Sequence, residues 1–309
     1  MPGGFSLCLQ ARPEDAAGWA ELAVRAERAG FAALYVADHP GSGVAPYVAL
    51  ANAATATERI ELGSYVANAG VWEPLLLANE VATLDLVSGG RALLGLGAGH
   101  TPAEWTMQGR EHPSAGARVD RMIELAEVTR RLLAGETVTF SGDHLRLDEA
   151  RLASPRPVAD EIPLLIGGNG TRVLYYAAQH ADIIGLSGLG RTLPDGHRHE
   201  VDWAPAHIDE RIGLVHDVAA TAGRTPALDA LVQWLELTDD AEAAAARLAE
   251  RLGGVTVADL LAAPYVLIGT VDEVAAELER HHTRFGITRF TVRATAIDAA
   301  EAVLRVLDR

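Results

Sequence analysis

The sequence predicts a single α/β domain over residues 1–309, a (β/α)8 TIM barrel with an insertion after its sixth strand. Three observations carry this prediction. Eight short apolar runs alternate with helix-patterned segments from one end of the chain to the other. No linker interrupts 309 residues, a length that suits a large barrel better than a smaller doubly wound sheet. The segments are also punctuated as helices should be, with Pro at their starts and Gly at an end.

In order, a strand is expected over 5–10 and a helix over 13–29, with apolar Trp19, Leu22, Ala23 and Ala26 and a closing Gly30. Strand 33–37 precedes a helix over 46–57 opened by Pro46; strand 60–66 precedes a helix over 74–87 opened by Pro74. Strand 91–96, a hairpin over 138–147 behind the long helix 118–134, and strand 162–166 follow. Helix 172–180, strand 182–186 and helix 207–222 lead to strand 228–237. Helices 241–252 and 271–285, strand 289–293 and helix 298–307 close the chain. The stretch "GLGRTLPDGHRHEVDWAP" (188–205) has no periodicity, and long loops of this kind are often lids or binding loops. The segment 188–206 is therefore expected to be a lid.

Composition narrows the function. Hydrophobic residues make up 49% of the chain, yet no run reaches the ~18 apolar residues of a membrane span. Met1-Pro2-Gly3-Gly4 has no basic n-region, so a soluble, cytoplasmic protein without a membrane partner is expected. A net charge of −16 disfavours nucleic acid and anionic membrane surfaces as partners. All 26 basic residues are arginine. The absence of lysine excludes Schiff-base chemistry and the P-loop. Cys8, the lone cysteine, excludes an internal disulfide and a cysteine zinc cluster.

A barrel does its chemistry at the C-terminal ends of its strands. Those ends read Asp38-His39, Ser64-Tyr65-Val66-Ala67-Asn68, Gly97-Ala98-Gly99-His100 with Glu104 beyond, Gly167-Gly168-Asn169-Gly170-Thr171, and Gly185-Leu186-Ser187-Gly188. The fifth-strand turn suits a phosphate: glycines allow close backbone approach, Thr171 offers a hydroxyl, and Arg172 adds charge at a helix start. The plain alternative is an ordinary helix cap. The run "GRALLGLGAGH" (90–100) invites a dinucleotide-loop reading, but G-x-G-x-x-G fails in both registers, on His100 and on Pro102. What remains is a bare strand end for a flat ligand, or tight packing inside the barrel. His39 beside Asp38 has the character of an acid, a base or a hydrogen-bond donor, against a purely structural histidine. His197, His199 and Glu200 read as a solvated loop, and no metal site is expected.

Taken together, these residues resemble the luciferase-like monooxygenase superfamily, and within it the coenzyme F420-dependent oxidoreductases. The resemblance is carried by "ERAGFAALYVADH" (27–39), "ERIELGSYVANAGVWEPLLLANEVATLDLVSGGRALLGLGAG" (58–99), "SPRPVADEIPLLIGGNGTRVLYYAAQHADIIGL" (154–186) and "LIGTVDEVAAELERHHTRFGITRFTV" (267–292). It implies a (β/α)8 barrel, a homodimer, and F420 or FMN at the strand C-termini. It further implies His39 beside the deazaflavin and paired with Asp38, a cis peptide at Tyr65-Val66, and a phosphate turn at Gly167, Gly168 and Thr171. Sugar-phosphate dehydrogenases of the family carry a glutamate where this sequence has His100, and lysine in a substrate-phosphate pocket, so a sugar phosphate is disfavoured.

The expected protein is an F420-dependent oxidoreductase moving a hydride between deazaflavin C5 and a small organic substrate. An FMN-dependent monooxygenase is the runner-up, and a non-catalytic cofactor-binding barrel the third reading. Asp38 and His39 are the expected catalytic pair. Ser64, Tyr65, Val66, Asn68, Gly97, Gly99, His100, Gly167, Gly168, Asn169 and Thr171 are expected around the cofactor, with Arg191, Arg198 and Trp203 at its tail or closing the pocket.

Overall fold

The computed structural model describes residues 4–192, 199–201 and 203–307. Eight parallel strands form a closed barrel: Ser6–Gln10, Ala33–Val36, Glu61–Ser64, Ala92–Gly97, Leu164–Gly167, Ile183–Leu186, Ala227–Leu231 and Ile287–Arg293. The first strand bonds both the second and the eighth, and pairing of the third with the fourth completes the ring. The fold is thus the (β/α)8 barrel that the alternation predicts.

Helices cover the outer face of these strands while side chains fill the inner one, so the strands read as continuous apolar runs. Two apolar clusters result. The larger joins strands to helices; the smaller, with Cys8, Tyr35, Tyr65, Leu93, Leu165, Ile183 and Leu231, fills the barrel interior. The first helix, Ala16–Ala29, starts where the Asp15 side chain accepts from Gly18 N and stops at Gly30, whose φ of 93° suits only glycine well. It buries Trp19, Ala23 and Ala26, and Trp19 Nε1 donates to Ala49 O on the next helix. Helix Val271–Phe285 begins with a capping box between Thr270 and Glu273.

Four segments differ from expectation. The third strand ends at Ser64; the Tyr65–Val66 peptide is cis, as the resemblance implies, and Ala67–Asn68 re-enters the sheet against the fourth strand. The stretch 228–237 is not one strand. After Leu231 the chain leaves the barrel, Gln233 N donates to Tyr265 O, and Trp234–Leu237 pairs with an unforeseen strand, Val266–Gly269. Short helices Pro102–Thr106 and Val257–Ala262 were also not legible, being too brief for a helical period. Finally, the aperiodic insertion is flanked by an antiparallel ribbon, Leu189–Thr192 with His199–Val201. Residues 193–198 and 202, much of the expected lid, lie outside the described residues. Among the described residues, no helix is long and apolar enough to cross a membrane.

Candidate active site

At the C-terminal mouth, the second strand delivers Asp38 and His39, and the third delivers Asn68. Helix Pro102–Thr106, opened by Pro102, drops Glu104 between them, 3% exposed. The Glu104 carboxylate accepts from His39 Nδ1 at 2.7 Å on one oxygen and from Asn68 Nδ2 on the other. This leaves His39 Nε2 to face a ligand. Through that bond Glu104 holds the His39 pKa above the ordinary imidazole value, against the opposing effect of burial. Asp38 makes no hydrogen bond to the His39 ring among the described residues; its Oδ2 accepts from Asn68 N at 3.0 Å and Trp72 Nε1 at 2.8 Å, and its charge favours protonation of His39. Burial raises the Asp38 pKa while these bonds oppose the rise. Asp38 is therefore a positioning residue for Asn68.

His100 stands beside His39 with ring centroids 5.8 Å apart, and His199 from the ribbon meets the other side of His100 at 4.7 Å. Burial, together with the neighbouring His199, pushes the His100 pKa down to about 4, so it is neutral where His39 holds a proton. The two adjacent imidazoles are thus shifted in opposite directions, His39 upward by Glu104 and His100 downward by burial.

The Tyr65–Val66 step forms the wall of the mouth. Tyr65 points inward, edge-on to Tyr35 at 5.3 Å, whereas the Val66 side chain sits between the fourth and fifth strands. A Cβ at Gly97 would stand 2.5 Å from one Val66 methyl, and one at Gly167 would stand 2.8 Å from the other. Gly99, at φ 72°, is approached by the Asn68 amide in the same way. Each of these glycines thus leaves room for a side chain of the 65–68 segment, Val66 or Asn68. Ser64 is fully buried, its hydroxyl donating to Gly95 O, so it supports the wall and does not face a ligand.

Beyond the fifth strand, helix Thr171–His180 begins at Gly170 with no side-chain cap, and nothing stands within 4 Å of a Cβ built at Gly170. Its first amides are therefore open to an anion. Thr171 Oγ1 accepts from Arg211 Nη1 at 2.8 Å, which brings a guanidinium to the turn. Arg172 is occupied by Asp120. The Asn169 amide donates to Leu189 O and accepts from Ser187 N, so it fastens the insertion rather than the turn. Open amides, a hydroxyl and a guanidinium fit the phosphate of a flavin-type cofactor, and the His39 side of the mouth fits its ring.

On the opposite rim Gln10 Nε2 donates to the carbonyl of Tyr65, and Arg293 donates to Gln10 Oε1 and to Gln233 Oε1. Neither Arg293 nor Gln233 is among the expected site residues. Trp203 is buried against Tyr265, centroids 6.2 Å apart, while Arg198, His197 and the Arg191 side chain fall outside the described residues. Among the described residues, no cluster of three or more His, Cys, Asp or Glu is arranged to hold a metal ion.

The chain is 29% identical over 280 residues to the F420-dependent glucose-6-phosphate dehydrogenase of Amycolatopsis mediterranei (strain U-32), covering 84% of this chain and 83% of that protein. Among solved structures it matches an F420-dependent secondary alcohol dehydrogenase in complex with an F420–acetone adduct, with TM-score 0.78, 22% identity and 98% of each chain covered. It also matches the F420-dependent tetrahydromethanopterin reductase of Methanopyrus kandleri, with TM-score 0.76, 20% identity and 97% and 96% of the two chains covered. These two likenesses bear on the fold. The model of the luciferase-like monooxygenase family matches residues 3–289, and the chain belongs to that family.

Proposed function

We propose that this oxidoreductase uses F420 and moves a hydride between the deazaflavin and a small organic substrate. The observation that carries the reading is the Glu104–His39 pair at the mouth, beside the Tyr65–Val66 wall and opposite an open anion turn. The sequence likeness to an F420-dependent dehydrogenase supports F420 over FMN. When bound, the deazaflavin supplies the hydride chemistry; the residues supply position and protons. Gly170, Thr171 and Arg211 would hold the phosphate, and the Val66 wall would back the ring. His39, whose hold on a proton Glu104 strengthens through Nδ1, gives or takes at Nε2 the proton that accompanies hydride transfer. Asn68 and Asp38 keep Glu104 in place.

A sugar phosphate is disfavoured as substrate, since the chain has no lysine and carries His100 on the fourth-strand end. The ribbon of Leu189–Thr192 with His199–Val201 meets the site through His199, which rests on His100. Pairing of two chains is expected through exposed Val48, Leu75, Leu76, Leu86 and Val87 on the second and third helices; a monomer in sedimentation would remove that expectation.

Titration of the purified protein with F420 and with FMN, followed by fluorescence and melting temperature, tests the cofactor assignment. F420 should bind and stabilise. Stabilisation by FMN alone would turn the reading to the monooxygenase alternative, and stabilisation by neither would sink both.

A further inference from the structure

The eighth strand lines the barrel interior with Arg289, Thr291 and Arg293, because alternate residues of a strand share a face. Arg293 is the last of these and stands at the mouth. Burial lowers its pKa, and its charge opposes protonation of His39 across the site. Such a desolvated cation ordinarily has an acidic partner. Arg293 has none among the described residues: its recorded bonds go to the neutral amide oxygens of Gln10 and Gln233. Among the described residues, no other side chain accepts from the guanidinium fork.

Beside it, at the C-terminal ends of the seventh and eighth strands, lies a cavity of about 380 Å³ lined by Arg293, Gln233, Trp234 and Thr295 among others. That volume is in the range of small-molecule sites. Trp234, with the Arg251 guanidinium over its ring at 4.5 Å, brings an aromatic surface, Arg293 a cation without a counter-charge, and Gln233 an amide whose oxygen accepts from Arg293 and whose Nε2 donates to Leu231 O. The Gln10 amide ties this cluster to the Tyr65 carbonyl, and so to the wall against which the ring would lie.

We propose that this cavity is the substrate subsite and that it takes a carboxylate, received by the Arg293 fork, which Gln233 and Gln10 hold in place. A guanidinium matches the planar, bidentate geometry of a carboxylate. One guanidinium flanked by neutral amides also suits a single negative charge better than a phosphate dianion. Calling the ligand a substrate rests on the function proposed above, whereas binding of a carboxylate does not.

Benzoate, with benzyl alcohol as its neutral counterpart and phenylphosphonate as a dianion, is titrated calorimetrically into the cofactor-free protein and into the protein with F420. Benzoate should bind about tenfold or more tightly than benzyl alcohol, since paired charged hydrogen bonds to a guanidinium are stronger than a neutral one. Arg293→Gln should erase that preference. Thr295→Glu, which leaves the Arg293 bonds untouched, should weaken benzoate severalfold and spare benzyl alcohol. Equal binding of benzoate by the wild type and both variants, no benzoate binding at all, or tighter phenylphosphonate than benzoate would overturn the proposal. Failure of F420 to bind in the same samples, with the benzoate preference intact, would instead strike the cofactor reading and leave this site standing.

Discussion

Two arginines on one strand, Arg289 and Arg293, meet opposite surroundings. Arg289, deep in the barrel, bonds Glu61 at 2.7 Å and the Tyr35 hydroxyl at 2.9 Å, and lies 3.8 Å from Asp229, which in turn accepts from Thr291. Asp229 is fully buried, and burial raises its pKa while Arg289 opposes the rise. Arg293, four residues on, faces only neutral amides. The deep group is neutralised within the fold; the group at the mouth is not. A charge matched internally holds structure, and a charge left unmatched at a mouth is available to a ligand.

Breaking the deep pair should have the largest effect. Arg289→Met strands the Asp229 carboxylate and should cost about 3–5 kcal/mol of stability in denaturant unfolding. Arg293→Met removes two bonds to neutral groups but also relieves a desolvated charge, and should cost less, about 1–2 kcal/mol. Equal losses would erase the contrast. At the mouth, His39→Ala should slow turnover by about 10²–10⁴ in protein that still folds by circular dichroism; unchanged turnover would take His39 out of the proton transfer. Gly97→Ala should cost about 1–3 kcal/mol through overpacking on Val66, read from the same unfolding curves.

The two histidines give the smallest effects, with opposite signs. The His39 pKa is raised in the folded protein, so its contribution to stability is full below the unfolded value, about 6.5, and is lost as pH rises through the folded value. Glu104→Gln should therefore move the basic limb of the rate profile to lower pH. The His100 pKa is depressed to about 4, so the unfolded chain takes up a proton first and stability falls as pH drops from about 6.5 towards 4. His100→Asn should flatten that slope; an unchanged slope would place its origin elsewhere.

The barrel was legible because β/α alternation and Pro and Gly punctuation are local signals that a sequence carries openly. Strand ends then located Asp38, His39 and the 167–171 turn. What stayed hidden depends on which strands and helices become neighbours. Glu104 was visible as a residue, but its bonds to His39 and Asn68 need the short helix after the fourth strand to fold back. Arg211 reaches Thr171 only because two outer helices pack together. Arg293 could have been found: Arg289, Thr291 and Arg293 share the period of two that marks one face of a strand.

The Val66 side chain lies between Gly97 and Gly167, and the Tyr65 hydroxyl leans on Gly185, where a Cβ would stand 2.4 Å away. The glycines on three successive strands are therefore a negative, in the photographic sense, of two side chains on another. They can be exchanged only in concert with what they mirror: alanine at 97 should become tolerable once Val66 is trimmed to alanine. Within the run that imitates a nucleotide loop, Gly97 thus answers to Val66, Gly95 to the Ser64 carbonyl and Gly99 to the Asn68 amide.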